Sequence, residues 1–93
     1  MPSAVTLLGL AWLGLAGQKL SRGDTHGALS LYKVWVADNP QDVPARLALA
    51  NVYIKEGDID LAIAQYQVVL EHEASNLVAL NNMAWFLRDS KPK

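Results

Sequence analysis

The sequence predicts an all-α fold of about five antiparallel helices, stacked as helix–turn–helix repeats. Three observations carry that expectation. The first is an internal echo at 34-residue spacing, in which Arg22-Gly23-Asp24 is answered by Glu56-Gly57-Asp58. Ala28 and Ala62 follow the two aspartates, then Tyr32 and Tyr66, while Leu15-Ala16 returns as Leu49-Ala50 and again as Met83-Ala84. A fixed period of this size marks a stack of units that each bury an apolar face only against their neighbours. The second observation is helical periodicity: Ala45, Leu49, Val52 and Tyr53 share one face, and Ala62, Ile63, Tyr66, Val69 and Leu70 share another. The third is punctuation, since short Gly-, Asp- and Pro-containing connections force successive helices to run antiparallel.

The elements follow in order. The first helix is expected from about Ser3, a candidate N-cap, to Arg22, and Gly23 supplies the left-handed residue that ends it. Asp24 caps the second, about Thr25 to Asp38, which Asn39-Pro40 closes. The third opens at Asp42 or Val43, carries Pro44 in its first turn, where a missing N–H costs nothing, and ends at Gly57. Asp58 caps the fourth, about Ile59 to Glu73, and Asn76 caps the fifth, about Leu77 to Asp89. This gives a single domain over 1–93: repeat one at about 9–42 with its first helix starting near 3, repeat two at about 43–76, and a half-repeat at about 77–93. A third Gly-Asp would fall at Lys91-Pro92. The echo breaks there, so the chain reads as part of a longer array.

Composition narrows the function classes. The chain has 93 residues, 52% hydrophobic and 18% charged, which opposes disorder. A formal charge of −1, with basic residues scattered rather than striped, argues against a nucleic-acid partner. With no cysteine there is no disulfide framework and no thiolate chemistry. The apolar run from Ala4 to Ala16 has the look of a signal-peptide core, but it lacks a basic leader and is too short for a membrane span of ~20 residues. Its Trp12, Leu15 and Ala16 instead keep the frame of Arg46, Leu49, Ala50 and Leu80, Met83, Ala84, which favours a repeat helix. Localisation stays open between cytoplasm and bacterial periplasm.

These residues resemble the tetratricopeptide repeat. Trp12, Leu15-Ala16, Gly23-Asp24, Ala28, Tyr32 and Pro40 fill its slots in the first repeat. Leu49-Ala50, Tyr53, Gly57-Asp58, Ala62 and Tyr66 fill those of the second, and Leu80, Met83-Ala84 and Leu87 those of the half-repeat. Arg46 stands in place of an aromatic, Lys19 in place of a tyrosine, and Trp35 and Val69 in place of a small residue. Trp35 is large for its slot; a packed indole is favoured over one facing out. The alanines Ala16, Ala28, Ala50, Ala62 and Ala84 are expected to admit close helix approach, while Leu15, Leu49, Met83, Tyr32 and Tyr66 fill the gaps between layers. The segment Ala79–Leu87 also has a weaker likeness to bacterial tetratricopeptide-repeat proteins of exopolysaccharide export.

The resemblance implies a right-handed superhelical stack whose concave groove is lined by the first helix of each pair and takes a peptide or an amphipathic helix. Carried over, the groove comprises Leu10, Leu13, Gly14, Gly17, Leu20 and Ser21, then Leu47, Ala48, Asn51, Ile54 and Lys55, then Asn81, Asn82, Trp85, Arg88 and Asp89. A carboxylate clamp is disfavoured because the first repeat supplies no Lys or Asn to it. Apolar residues on the end helices point to self-association, with Leu80, Met83 and Leu87 as its surface on the fifth helix and a symmetric homodimer as its form. Catalysis finds no footing. His26 and His72 fit no metal-ligand spacing and read as solvated, Asp58 and Asp60 suit a helix N-terminus, and Gly9, Gly14 and Gly17 form no phosphate loop. Inside a helix, those glycines are expected to permit close helix contact. The reading is therefore a non-catalytic protein-interaction scaffold without cofactor or metal. Its alternatives are a structural, self-associating segment of a longer array, or an accessory domain of a larger enzyme or export machine.

Overall fold

The computed structural model describes residues 4–90, with side-chain surroundings given for 11–88. Among the described residues there are five helices: α1 (Ala4–Ser21), α2 (Thr25–Asp38), α3 (Val43–Lys55), α4 (Ile59–His72) and α5 (Leu77–Ser90). The expected bounds of α2 are met at both ends. The third helix stops two residues before the expected Gly57, with Glu56 as its cap residue. The expected Ser3 cap lies outside the described residues.

Both glycines of the echo do what the pattern requires. Gly23 has φ +79° and Gly57 has φ +84°, the left-handed region where a Cβ is unfavourable. Each turn closes in the same way. The Asp24 N–H donates to Lys19 O at 2.7 Å and the Gly23 N–H to Leu20 O at 3.0 Å; the Asp58 N–H donates to Tyr53 O at 2.9 Å and the Gly57 N–H to Ile54 O at 3.0 Å. This pair of bonds satisfies the last carbonyls of the helix and aims the next one back antiparallel.

The N-caps are less uniform than the sequence repeat. The Asp24 carboxylate accepts from the Gly27 N–H at 2.8 Å, Asp42 from Ala45 at 3.2 Å, and the Asn76 amide oxygen from Ala79 at 3.0 Å. The Gly27 bond holds the Asp24 carboxyl below the usual carboxylate range, with Lys19 and His26 adding to it. Asp58 occupies the cap position of α4 but makes no side-chain cap bond, so here the expectation of a side-chain cap fails. At α2 the absence of a side chain at residue 27 matters: a Cβ on Gly27 would collide with the Asp24 carboxylate.

Helices pack chiefly on their sequence neighbours, α1 on α2, α2 on α3, α3 on α4 and α4 on α5. The core runs through the middle, where Ala16, Ala28, Tyr32, Val36, Ala45, Leu49, Ala50, Val52, Tyr53, Ala62, Tyr66, Val69 and Ala79 are buried. Trp35 is packed, only 7% exposed. Its indole lies against Trp12 at 6.4 Å between ring centroids, tilted by 40°, and its Nε1–H donates to Asp42 Oδ2 at 2.7 Å. One Asp42 carboxylate thus caps α3 with one oxygen and fixes the α2 indole with the other.

Three packing expectations need correction. Leu15 does not fill an interlayer gap as Leu49 does; it is 47% exposed, because among the described residues α1 packs chiefly on α2 whereas α3 lies between α2 and α4. Ala84 is exposed: among the described residues α5 packs chiefly on α4, which leaves this position uncovered. Gly14 and Gly17 make no close helix contact: a Cβ at either would meet open space.

Candidate functional site

A hollow of about 350 Å³ opens between α1 and α3, with α2 behind it. Leu20 comes from α1, Tyr32 from α2, and Ala48, Asn51, Val52, Ile54 and Lys55 from α3. The turn at Gly23 sets this arrangement, because it folds α2 back beneath α1 and brings the buried Tyr32 to the floor. Leu20, Ala48 and Ile54 are only partly buried against the core, so they offer apolar surface to an incoming group. Asn51 and Lys55, one helical turn apart and both exposed, supply an amide and a cation at the rim.

Five of the expected groove residues meet at this hollow: Leu20, Ala48, Asn51, Ile54 and Lys55. Leu13 and Leu47 rest partly buried on the core and, like Gly14, Gly17 and Ser21, do not line it; the Leu10 and Asp89 side chains lie outside the described residues. The remaining four stand on α5. Asn81 and Arg88 are exposed and Trp85 is 63% exposed. Asn82 is turned inward, and its Nδ2–H donates to the buried Tyr66 hydroxyl at 3.2 Å. Burial pushes the Tyr66 phenol above its ordinary range, and the Asn82 bond draws it partly back. Asn82 therefore ties α5 to α4.

Tyr32 and Val52 are hollow residues that sequence reasoning assigned to packing alone. Their helical phase marks them as core, and both are buried; they form the bottom of the hollow because the gap between α1 and α3 reaches down to them. Other polar contacts are structural. Arg46, in the slot of an aromatic, donates from Nε to Pro40 O at 2.8 Å and from a guanidinium NH to Gln65 Oε1 at 2.9 Å, bracing α3 against α4. Lys19 reaches Asp24 at 3.5 Å. His26 is exposed as expected, with Glu56 of the following turn 3.7 Å from its Nε2.

Among the described residues, no three His, Cys, Asp or Glu side chains gather as metal ligands, and no helix is long and apolar enough to cross a membrane. A family model for the tetratricopeptide repeat matches residues 19–86, most of the chain. The chain belongs to the tetratricopeptide-repeat family. Among curated proteins the search finds no match. Tetratricopeptide repeats generally mediate protein–protein interactions and are typically non-catalytic scaffolds. Nothing in the comparison extends the likeness to exopolysaccharide-export proteins.

Proposed function

We propose that this tetratricopeptide-repeat chain binds a peptide or amphipathic helix of a partner protein along the face carrying the α1–α3 hollow. The observation that carries the reading is the composition of that hollow. It has an aliphatic floor of Leu20, Ala48 and Ile54 beside Tyr32, wide enough for one or two side chains, with Asn51 and Lys55 at its edge. Aliphatic anchors enter such a recess, and the rim amide and cation hydrogen-bond the partner's backbone or carboxylates. Trp85 and Arg88 on α5, both exposed, are the residues that the repeat pattern assigns to the continuation of this groove, an aromatic and a second cation. A groove this short offers a small interface, so affinity on the order of micromolar is expected.

The test selects peptides from a random display library on the intact chain and measures them by fluorescence anisotropy. Asn51→Ala, Lys55→Ala and Trp85→Ala all alter exposed side chains, so the fold should persist. Each should weaken a selected peptide by roughly three- to tenfold, and the triple variant by more than tenfold. Peptides that bind wild type and triple variant equally would remove the groove from consideration.

A further inference from the structure

The fifth helix shows to solvent what the third helix buries. On α3, Leu49, Ala50 and Tyr53 are 2%, 0% and 6% exposed. One period later Met83 is partly buried, Ala84 is exposed, and Leu87 is 42% exposed. Leu80, in the slot of Arg46, is 41% exposed, and Leu77 at the start of the helix is 71% exposed. Leu77, Leu80, Ala84 and Leu87 are spaced three, four and three residues apart, the a/d seam of a helix pair. Trp85 sits about a third of a turn away from the middle of this seam, so the two surfaces are separate.

The seam is complementary to itself in one orientation. With two copies of α5 antiparallel about a two-fold axis at residue 82, Leu77 faces the partner's Leu87 and Leu80 faces the partner's Ala84. At the centre each large side chain then meets a small one, which lets the helices close. Charge favours the same orientation. Arg88 is carried to the loop preceding the second copy's α5, where Glu73 is exposed, whereas a parallel pair would set Arg88 beside its own copy. We propose that the occupant of this surface is a second copy of the chain, in an isologous antiparallel α5–α5 dimer. Such a dimer carries two α1–α3 hollows and gains effective concentration on a partner with two matching segments.

Sedimentation of the intact chain from low micromolar to hundreds of micromolar tests the dimer. A reversible doubling of mass is expected. Leu80→Glu should raise the dissociation constant more than tenfold while circular dichroism keeps its helical signal, since Leu80 is exposed in the single chain. Orientation is read separately, because the chain has no cysteine of its own. Leu80→Cys mixed with Ala84→Cys under oxidation should give the mixed disulfide, and neither variant should cross-link with itself. A monomer at every concentration, growth past two copies, an unchanged Leu80→Glu protein, or self-cross-linking of either single variant would each overturn the proposal. Peptide binding by a strictly monomeric chain would leave the groove reading standing.

Discussion

At the residue scale, Asp42 carries more of the structure than its place in the repeat suggests. Its two carboxylate oxygens serve different helices, one accepting from the Ala45 N–H and the other from the buried Trp35 indole. Asp42→Ala removes a cap worth ~1 kcal/mol and leaves a buried N–H donor unsatisfied at about 1–3 kcal/mol, so a loss of roughly 2–4 kcal/mol is expected. Asp42→Asn has a single acceptor oxygen and can satisfy only one of the two donors. It should fall between, near half that loss, in urea unfolding followed by circular dichroism; an Asn variant as stable as wild type would show that the shared carboxylate is dispensable. A helix start at Asp42 or Val43 was legible in the sequence from the Asp and Pro around it, while the choice of Asp42 as the cap comes from its bond to the Ala45 N–H. The indole bond was not legible, since it joins residues on two elements whose approach depends on the turn between them. Trp35 looked too large for its slot because the slot is defined by helix contact, and the nearby carboxylate and Trp12 ring that accommodate it are tertiary.

At the element scale, glycine separates into two kinds. Gly23 and Gly57 terminate helices at positive φ, and replacing Gly57 with Ala should cost roughly 1–2 kcal/mol. Gly14 and Gly17 lie within α1 with open space where a Cβ would point, so each change to Ala should add about 0.5–1 kcal/mol. Thermal unfolding of the three variants would show opposite signs; a destabilised Gly17→Ala would mean that α1 has a neighbour at that face. Sequence reading placed the terminal glycines correctly because the echo repeats them beside Asp. It misjudged the internal pair because glycine in a helix signals close approach only where a second helix exists. The same reasoning explains Leu15, whose slot is buried in α3 between two helices, while among the described residues α1 packs chiefly on α2. It also explains why Leu20, Ala48, Asn51, Ile54 and Lys55 of the expected groove converge and the others do not: helical phase gives a residue's direction, while the gap between α1 and α3 decides which directions meet.

Across the whole molecule, extents of 49 × 31 × 18 Å and packing mainly between sequence neighbours describe a short stack rather than a sphere. Stability in such a stack is close to a sum of successive interfaces, so it is not uniform along the chain. The central α3 contributes Val43, Ala45, Leu49, Ala50, Val52 and Tyr53 to the buried set, whereas α5 contributes Ala79 among its described residues. Hydrogen exchange at dilute concentration should therefore show the slowest amides in α3 and the facing part of α4, and markedly faster ones in α5. Equal protection throughout would mean that the stack unfolds as one cooperative block. At concentrations that favour association, exchange in α5 should slow selectively.

The three indoles divide the molecule into two optical regions. Trp12 and Trp35 sit together in the first repeat, Trp35 inside the core, while Trp85 stands in water on the last helix. Emission from the pair comes from an apolar setting and emission from Trp85 from a wet one, so the two differ in wavelength and in access to a dissolved quencher. The chain is thus its own label: events on α5 alter the red, quenchable component, and loosening of the first repeat alters the blue one.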